Sequence, residues 1–151
     1  MSSIRQARDS ALAGDLWIFT DGSVDGSHCG AAAILFQGAA RDGSCFSTRF
    51  DGFHSSTQTE LVAIRLGCDE ARRLGSFSRI TIVSDSQPAL LGLWRFGRGP
   101  SLTVAAREAV RSLEGHTTEF RIWWTPSHAG LLENDLVDEA AKATVQDLAS
   151  A

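Results

Sequence analysis

Apolar positions along this chain fall into short runs and helical stripes that succeed one another in a definite order. Residues 16–20 (Leu-Trp-Ile-Phe-Thr) form an apolar run of the kind shown by a strand covered on both faces. Val24-Asp25-Gly26-Ser27 contains the Asp-Gly pair that favours a tight hairpin. Residues 29–37 read as a second strand, small at its start (Cys29, Gly30, Ala31), where something must approach closely. Arg41-Asp42-Gly43 is a further turn, and alternation over 44–50 predicts a third strand. Helical spacing then takes over. Ile64, Gly67, Ala71 and Leu74 follow Glu60, predicting a helix over 57–74 opened by Ser/Thr caps and closed by Gly75. Residues 80–84 predict a fourth strand, and Pro88 suits the first turn of a helix carrying Leu90, Leu91 and Leu93. Beyond the breaker Gly97-Arg98-Gly99-Pro100, the pattern predicts a helix over 103–113, a fifth strand over 120–124 and a last helix over 134–148. Hairpin-joined strands followed by alternating helices and single strands predict a mixed sheet covered by helices.

Composition narrows the class. A chain of 151 residues suits one domain with a proper core, and 43% hydrophobic with 21% charged residues excludes a disordered chain. Cys29, Cys45 and Cys68 are odd in number and lack metal-site spacing, so they read as small buried residues. No stretch is long and apolar enough to span a bilayer and the N-terminus has no signal-peptide core, which predicts a cytoplasmic or nuclear protein that is not secreted. Residues 1–14 are read as an N-terminal extension or linker (a frayed helix, a spacer or the remnant of excision from a larger protein), and residues 15–151 as the domain proper. The net charge of −4 opposes unaided binding to nucleic acid.

Four acids occupy settings that a solvated carboxylate would not choose. Asp21 and Asp85 each end an apolar strand run, Glu60 opens the long helical stripe, and Asp138 lies three and seven residues before Ala141 and Val145. Ligands in such sheets gather at the carboxyl ends of strands. Acids placed there are costly unless a positive group meets them, and a site made only of carboxylate oxygens suits a hard divalent cation, Mg²⁺ first.

Thr20-Asp21-Gly22-Ser23, Gln58-Thr59-Glu60-Leu61, Ser84-Asp85-Ser86-Gln87 and Trp124-Thr125-Pro126-Ser127-His128-Ala129-Gly130, followed by Asn134 and Asp138, together resemble type 1 ribonuclease H over about residues 16–145. The finer pattern around Glu60 and His128 is most similar to the ribonuclease H domains of non-LTR retrotransposon polyproteins. The resemblance implies an α/β ribonuclease H-like fold: a five-stranded mixed sheet, its second strand antiparallel, with helices on both faces. It implies an endonuclease that cuts the RNA strand of RNA–DNA hybrids with two Mg²⁺ ions, Mn²⁺ being able to substitute. Asp21, Glu60, Asp85 and Asp138 would be the metal ligands, with Asp21 bridging, and His128 would assist metal exchange and product release. Gly22, Ser23, Ser56, Thr57, Gln58, Ser86, Gln87 and Asn134 would line the substrate site. The implied partners are the hybrid and a covalently linked reverse transcriptase or other nucleic-acid-binding domain, with no membrane.

The family spacing selects Asp138 over Asp135, which becomes a first-turn acid. His28, His54 and His116 match nothing and read as surface residues. Trp124 is expected in the core behind the site loop and Trp123 on the other face of the sheet. Trp94 is expected in the core too, although it could, with Phe96, Arg95 and Arg98, stack on a DNA strand. Ser56, Thr57 and Gln58 stand where cellular relatives carry minor-groove asparagines, Leu131-Leu132-Glu133 replaces the usual glycine or proline, and the 93–102 region is too short for a long basic handle. Two other readings fit the acids: a noncatalytic, hybrid-binding or structural ribonuclease H-like domain of a reverse-transcriptase polyprotein, and a Mg²⁺-dependent phosphate enzyme or receiver-like switch.

Overall fold

Alternation along a central strand organises the molecule, described in a computed structural model over residues 2–52, 54–94 and 101–149. In β1 (Asp15–Asp25), Leu16 and Ile18 point to one face while Trp17 and Phe19 point to the other, and all four are buried. Both faces of the strand are covered, so its sequence reads as one unbroken apolar run. β2 (His28–Gln37) pairs with β1 antiparallel through a hairpin at Gly26, and β3 (Ser44–Asp51) pairs antiparallel with β2. β4 (Phe77–Ser84) joins the other edge of β1 in parallel and β5 (Thr117–Trp124) extends it, giving the order β3-β2-β1-β4-β5. Only β2 runs against the rest, as the resemblance implied.

On the first face, Leu61, Ile64, Cys68 and Ala71 of α2 (Ser56–Leu74) and Ala106, Val110 and Leu113 of α4 (Ser101–Glu114) pack over Leu16, Ile18, Ile80 and Ile82. The short α3 (Gln87–Leu93) adds Leu90 and Leu93 to that layer. On the second face, Val137 and Ala141 of α5 (Leu132–Ala149) cover Trp17, Phe19, Phe36 and Val83. The N-terminal residues form α1 (Ser2–Asp9), whose Ile4 belongs to this second core.

Strands β1, β4 and β5 run further than their apolar runs, because backbone pairing continues through polar positions such as Ser23↔Gly30 and Arg79↔Glu119. Three side chains depart from expectation. Cys45 is exposed, on the edge strand β3. Trp94, at the end of α3, is 62% exposed rather than in the core, and Arg95, Phe96 and Arg98 lie outside the described residues. Trp124 is 43% exposed and sits beside the site, whereas Trp123 packs edge-on against Trp17 as expected of the other face. Among the described residues no helix is long and apolar enough to cross a membrane.

The small residues at the start of β2 have a specific use. A Cβ on Gly30 would stand 2.7 Å from the Ala141 carbonyl oxygen and 2.9 Å from Val145 Cγ2, so α5 rests directly on the strand backbone. Since the obstacle includes backbone, Gly30→Ala should displace α5, lowering stability by about 1–3 kcal/mol. Thermal or denaturant unfolding checks this, and an unchanged midpoint would mean that α5 is free to shift.

Candidate active site

The same close approach builds the site. A Cβ on Gly22 would meet Thr59 Cγ2 at 2.7 Å and the Glu60 nitrogen at 3.0 Å, so only a bare backbone lets the first turn of α2 close on β1. The start of α2 is set by a capping box: the Ser55 hydroxyl accepts from the Gln58 N–H (3.1 Å), and the Gln58 side chain accepts from the Ser55 N–H (2.8 Å). Thr59 donates to the Ser55 carbonyl at 3.0 Å. Glu60 is thereby delivered to Asp21 at a fixed depth; the two are 7% and 3% exposed. Parallel pairing of Thr20 with Ser84 sends Asp21 and Asp85 out together from the ends of β1 and β4. Oxygens of Asp21, Glu60 and Asp85 lie within 4.8 Å of one another.

Asp85 is held from β5 and the loop after it. The Ser127 hydroxyl donates to Asp85 Oδ2 at 2.7 Å, and Trp124 Nε1 donates to the Asp85 carbonyl at 3.2 Å. Asp138, on α5, is not one of that group of three but is close enough to act on the Asp21 carboxyl, and it pairs with Lys142 at 3.0 Å, one helical turn on. His128 is exposed on the loop between β5 and α5, with φ +55°.

The remaining candidates lie on or next to the elements that carry these acids. Gly22 and Ser23 continue β1; Ser56, Thr57 and Gln58 form the first turn of α2, where the Gln58 side chain is committed to the cap. Ser86 caps α3, its hydroxyl accepting from the Ala89 N–H at 3.2 Å, and exposed Gln87 begins that helix. Asn134 is buried in the first turn of α5. Asp135 shares that turn with Glu133. Reading the sequence overlooked Ser127 as the partner of Asp85, because the two are 42 residues apart. Lys142 could have been found from its i+4 spacing to Asp138.

Burial lifts the Asp21 carboxyl to about 7, helped by the charge of Asp85 and opposed by a hydrogen bond from Glu60. Burial and the adjoining Asp21 push Glu60 up to about 10. For Asp138 burial acts upward as well, but Lys142 and the hydrogen bond with Asp21 outweigh it and hold the carboxyl below its usual range. With the acids ionised, Asp21 Oδ2 and Glu60 Oε2 are buried and meet no donor among the described residues. Two facing carboxylates of this kind need either a shared proton or a cation between them. An all-oxygen set with unpartnered buried atoms fits a hard divalent cation.

Without metal, the folded protein holds protons on Asp21 and Glu60 that the unfolded chain releases near pH 4. Stability from this source is therefore full below about pH 4 and declines as pH rises through the folded values of about 7 and about 10. Asp21→Asn should stabilise the metal-free protein at pH 7.5 by about 1 kcal/mol or more, raising its melting temperature, and flatten the decline above pH 5. Mg²⁺ should stabilise the wild type far more than the variant, and more at pH 8 than at pH 6, since binding displaces protons. Thermal melts across pH, with and without Mg²⁺, check all four. A variant less stable than wild type without metal would contradict a repulsive acidic cluster.

Comparison with known proteins agrees with the fold. The family model for RNase H matches residues 13–146. Among solved structures, the N-terminal RNase H domain of a Mycobacterium tuberculosis protein, fused to maltose-binding protein, is similar with a TM-score of 0.71 at 16% identity, covering 90% of this chain and 99% of that one. RNase H1 of the halophilic archaeon Halobacterium salinarum is similar with a TM-score of 0.67 at 20% identity, covering 89% of this chain and 99% of that one. A comparison with curated proteins finds no match. With its family match running from the turn before β1 through most of α5, the chain belongs to the RNase H family.

Proposed function

We propose that the chain is a divalent-metal-dependent endonuclease that hydrolyses the RNA strand of RNA–DNA hybrids by a two-metal mechanism. The observation that carries this reading is the convergence of Asp21, Glu60 and Asp85 from three separate elements, with Asp21 Oδ2 and Glu60 Oε2 buried and meeting no donor among the described residues. Membership of the RNase H family supports the choice of substrate. Asp21, Glu60 and Asp85 would hold the cations, with Asp138 contributing from α5. Mg²⁺ ions held there, or Mn²⁺ in their place, would supply an activated water and charge relief at the phosphorus and the leaving oxygen.

The chain's own residues set the geometry. The capping box and Gly22 fix Glu60 against Asp21. Ser127 and Trp124 hold Asp85 from its side chain and its backbone. Lys142 keeps Asp138 ionised and ready to ligate. His128, exposed on the loop before α5, is assigned to product release. Gly22, Ser23, Ser56, Thr57, Gln87 and Asn134 belong to the substrate side in this reading, while Gln58 and Ser86 act mainly through their caps.

The motifs around Glu60 and His128 support the non-LTR retrotransposon subgroup, in which residues 15–151 form the ribonuclease unit and a linked reverse transcriptase supplies affinity. Such a substrate places the protein in the cytoplasm or nucleus.

Labelled RNA–DNA hybrid, double-stranded RNA and double-stranded DNA, each with and without Mg²⁺, test the activity directly. Cleavage is expected only of the hybrid's RNA strand and only with metal. Asp21→Asn, Glu60→Gln and Asp85→Asn should each lower the rate by about three orders of magnitude or more, while His128→Ala retains measurable turnover. Hybrid binding without cleavage would favour the noncatalytic alternative, and near wild-type cleavage by Asp21→Asn would remove the metal assignment.

With a net charge of −4, the isolated domain should neutralise few phosphates. The slope of log K against log salt should be about −2 to −4 for hybrid binding by Asp21→Asn with Mg²⁺ present. A slope steeper than about −6 would reveal a basic surface that does not depend on a linked domain.

A further inference from the structure

The first helix lies outside the span that matches the RNase H family, which begins at residue 13, yet it is bonded to the loop beside the active site. Arg5 donates through Nη2 to the Gly130 carbonyl, two residues beyond His128. One turn on, Arg8 is 4% exposed and clamps three places at once. Its guanidinium donates to the Gly38 carbonyl at 2.8 Å and the Ala40 carbonyl at 2.5 Å, and its Nε stands 3.0 Å from Glu133 in the first turn of α5. Its plane also lies over the Phe36 ring, 4.8 Å from the centroid. Ile4 packs in the same core as Leu131. The helix is therefore docked on the far end of the His128 loop and on the helix that follows it.

That loop has reason to need an outside hold. His128 sits at φ +55°, unfavourable for a residue with a Cβ, and Gly130 follows at φ +85°. Conformations of this kind persist only where the surroundings over-determine them. On the β5 side the loop is tied by Ser127 to Asp85 and by the Thr125 N–H to the Ser84 carbonyl at 3.0 Å. On the α5 side the ties are buried Leu131 and the bond from Arg5. His128 and Ala129 thus span the gap between an anchor on the metal site and an anchor on α1.

We infer that α1 is a brace for the His128 loop, and that Arg5 is a positioning residue that holds the backbone at His128 in place. The part of this that concerns turnover rests on the ribonuclease reading above. Arg5 is exposed, so removing its side chain spares the buried contacts of Ile4 and Arg8 that dock the helix.

The test compares wild type, Arg5→Ala, Arg5→Lys, His128→Ala and the double variant Arg5→Ala/His128→Ala. Amide hydrogen exchange on the metal-free proteins reads the loop independently of catalysis. Arg5→Ala should speed exchange of amides in residues 127–131, leave those of β1 and β4 unchanged, and be partly restored in Arg5→Lys, whose ammonium can still donate to a carbonyl. On hybrid substrate, Arg5→Ala should lower multiple-turnover kcat by about three- to tenfold, with KM falling alongside it and kcat/KM and single-turnover cleavage little changed. In the His128→Ala background the same substitution should have no further effect on kcat. Unchanged loop exchange would overturn the brace. Faster exchange with unchanged turnover, or an equal loss of turnover with and without His128, would overturn its action through that residue. A wild type that cleaves nothing would overturn the ribonuclease reading alone, and exchange would still decide whether α1 holds the loop.

Discussion

Asp21 and Glu60 lie against each other out of water, at the point where the end of the central strand meets the first turn of the longest helix. Two acids in such a position repel when ionised and lose hydration either way, so the fold must hold them together against their own preference. It does so with apolar packing and backbone bonds rather than with charge. α2 is pressed onto β1 by Leu61, Ile64, Cys68 and Ala71, Gly22 removes the one side chain that would keep them apart, and the capping box fixes which residue of α2 arrives there. The core stabilises the protein and the acids spend part of that stability, a division expected where a site must be preorganised for a cation.

The other components of the site are held less deeply. Asp85 is half-buried, with one bond to its side chain and one to its backbone, both from the β5 end of the sheet. Asp138 comes from the opposite face on α5 and is balanced between Asp21 and Lys142. A gradient results, from the rigid Asp21–Glu60 pair to the exposed His128. Groups that must stay put lie in the packed layers, and the group assigned to product release lies on a loop with two unusual backbone conformations. Access and rigidity are separated because they come from different elements.

Aromatic exposure bears on the same division. Trp124 ends β5 and gives its N–H to the Asp85 backbone, leaving much of its ring exposed to solvent. Trp94 is more exposed still, at the end of α3. Helical or strand spacing assigns a tryptophan to a face, but at the ends of elements no neighbouring layer covers that face. Both expectations of burial failed at such ends.

The order of strands and helices was legible in the chain because covered strands read as apolar runs and helices as stripes, with Gly26, Gly75 and Pro88 marking turns and caps. Candidate acids were legible too, since Asp21, Glu60 and Asp85 stand where carboxylates are costly. Three-dimensional packing decided what no local pattern encodes. It brought Ser127 to Asp85 and Arg5 to Gly130, pairs far apart in the chain whose meeting depends on where the β5–α5 loop lies over β4 and beneath α1. It also set the protonation of Asp21 and Glu60, because a carboxyl's proton affinity follows from its burial and its neighbours, and both exist only once the layers have closed.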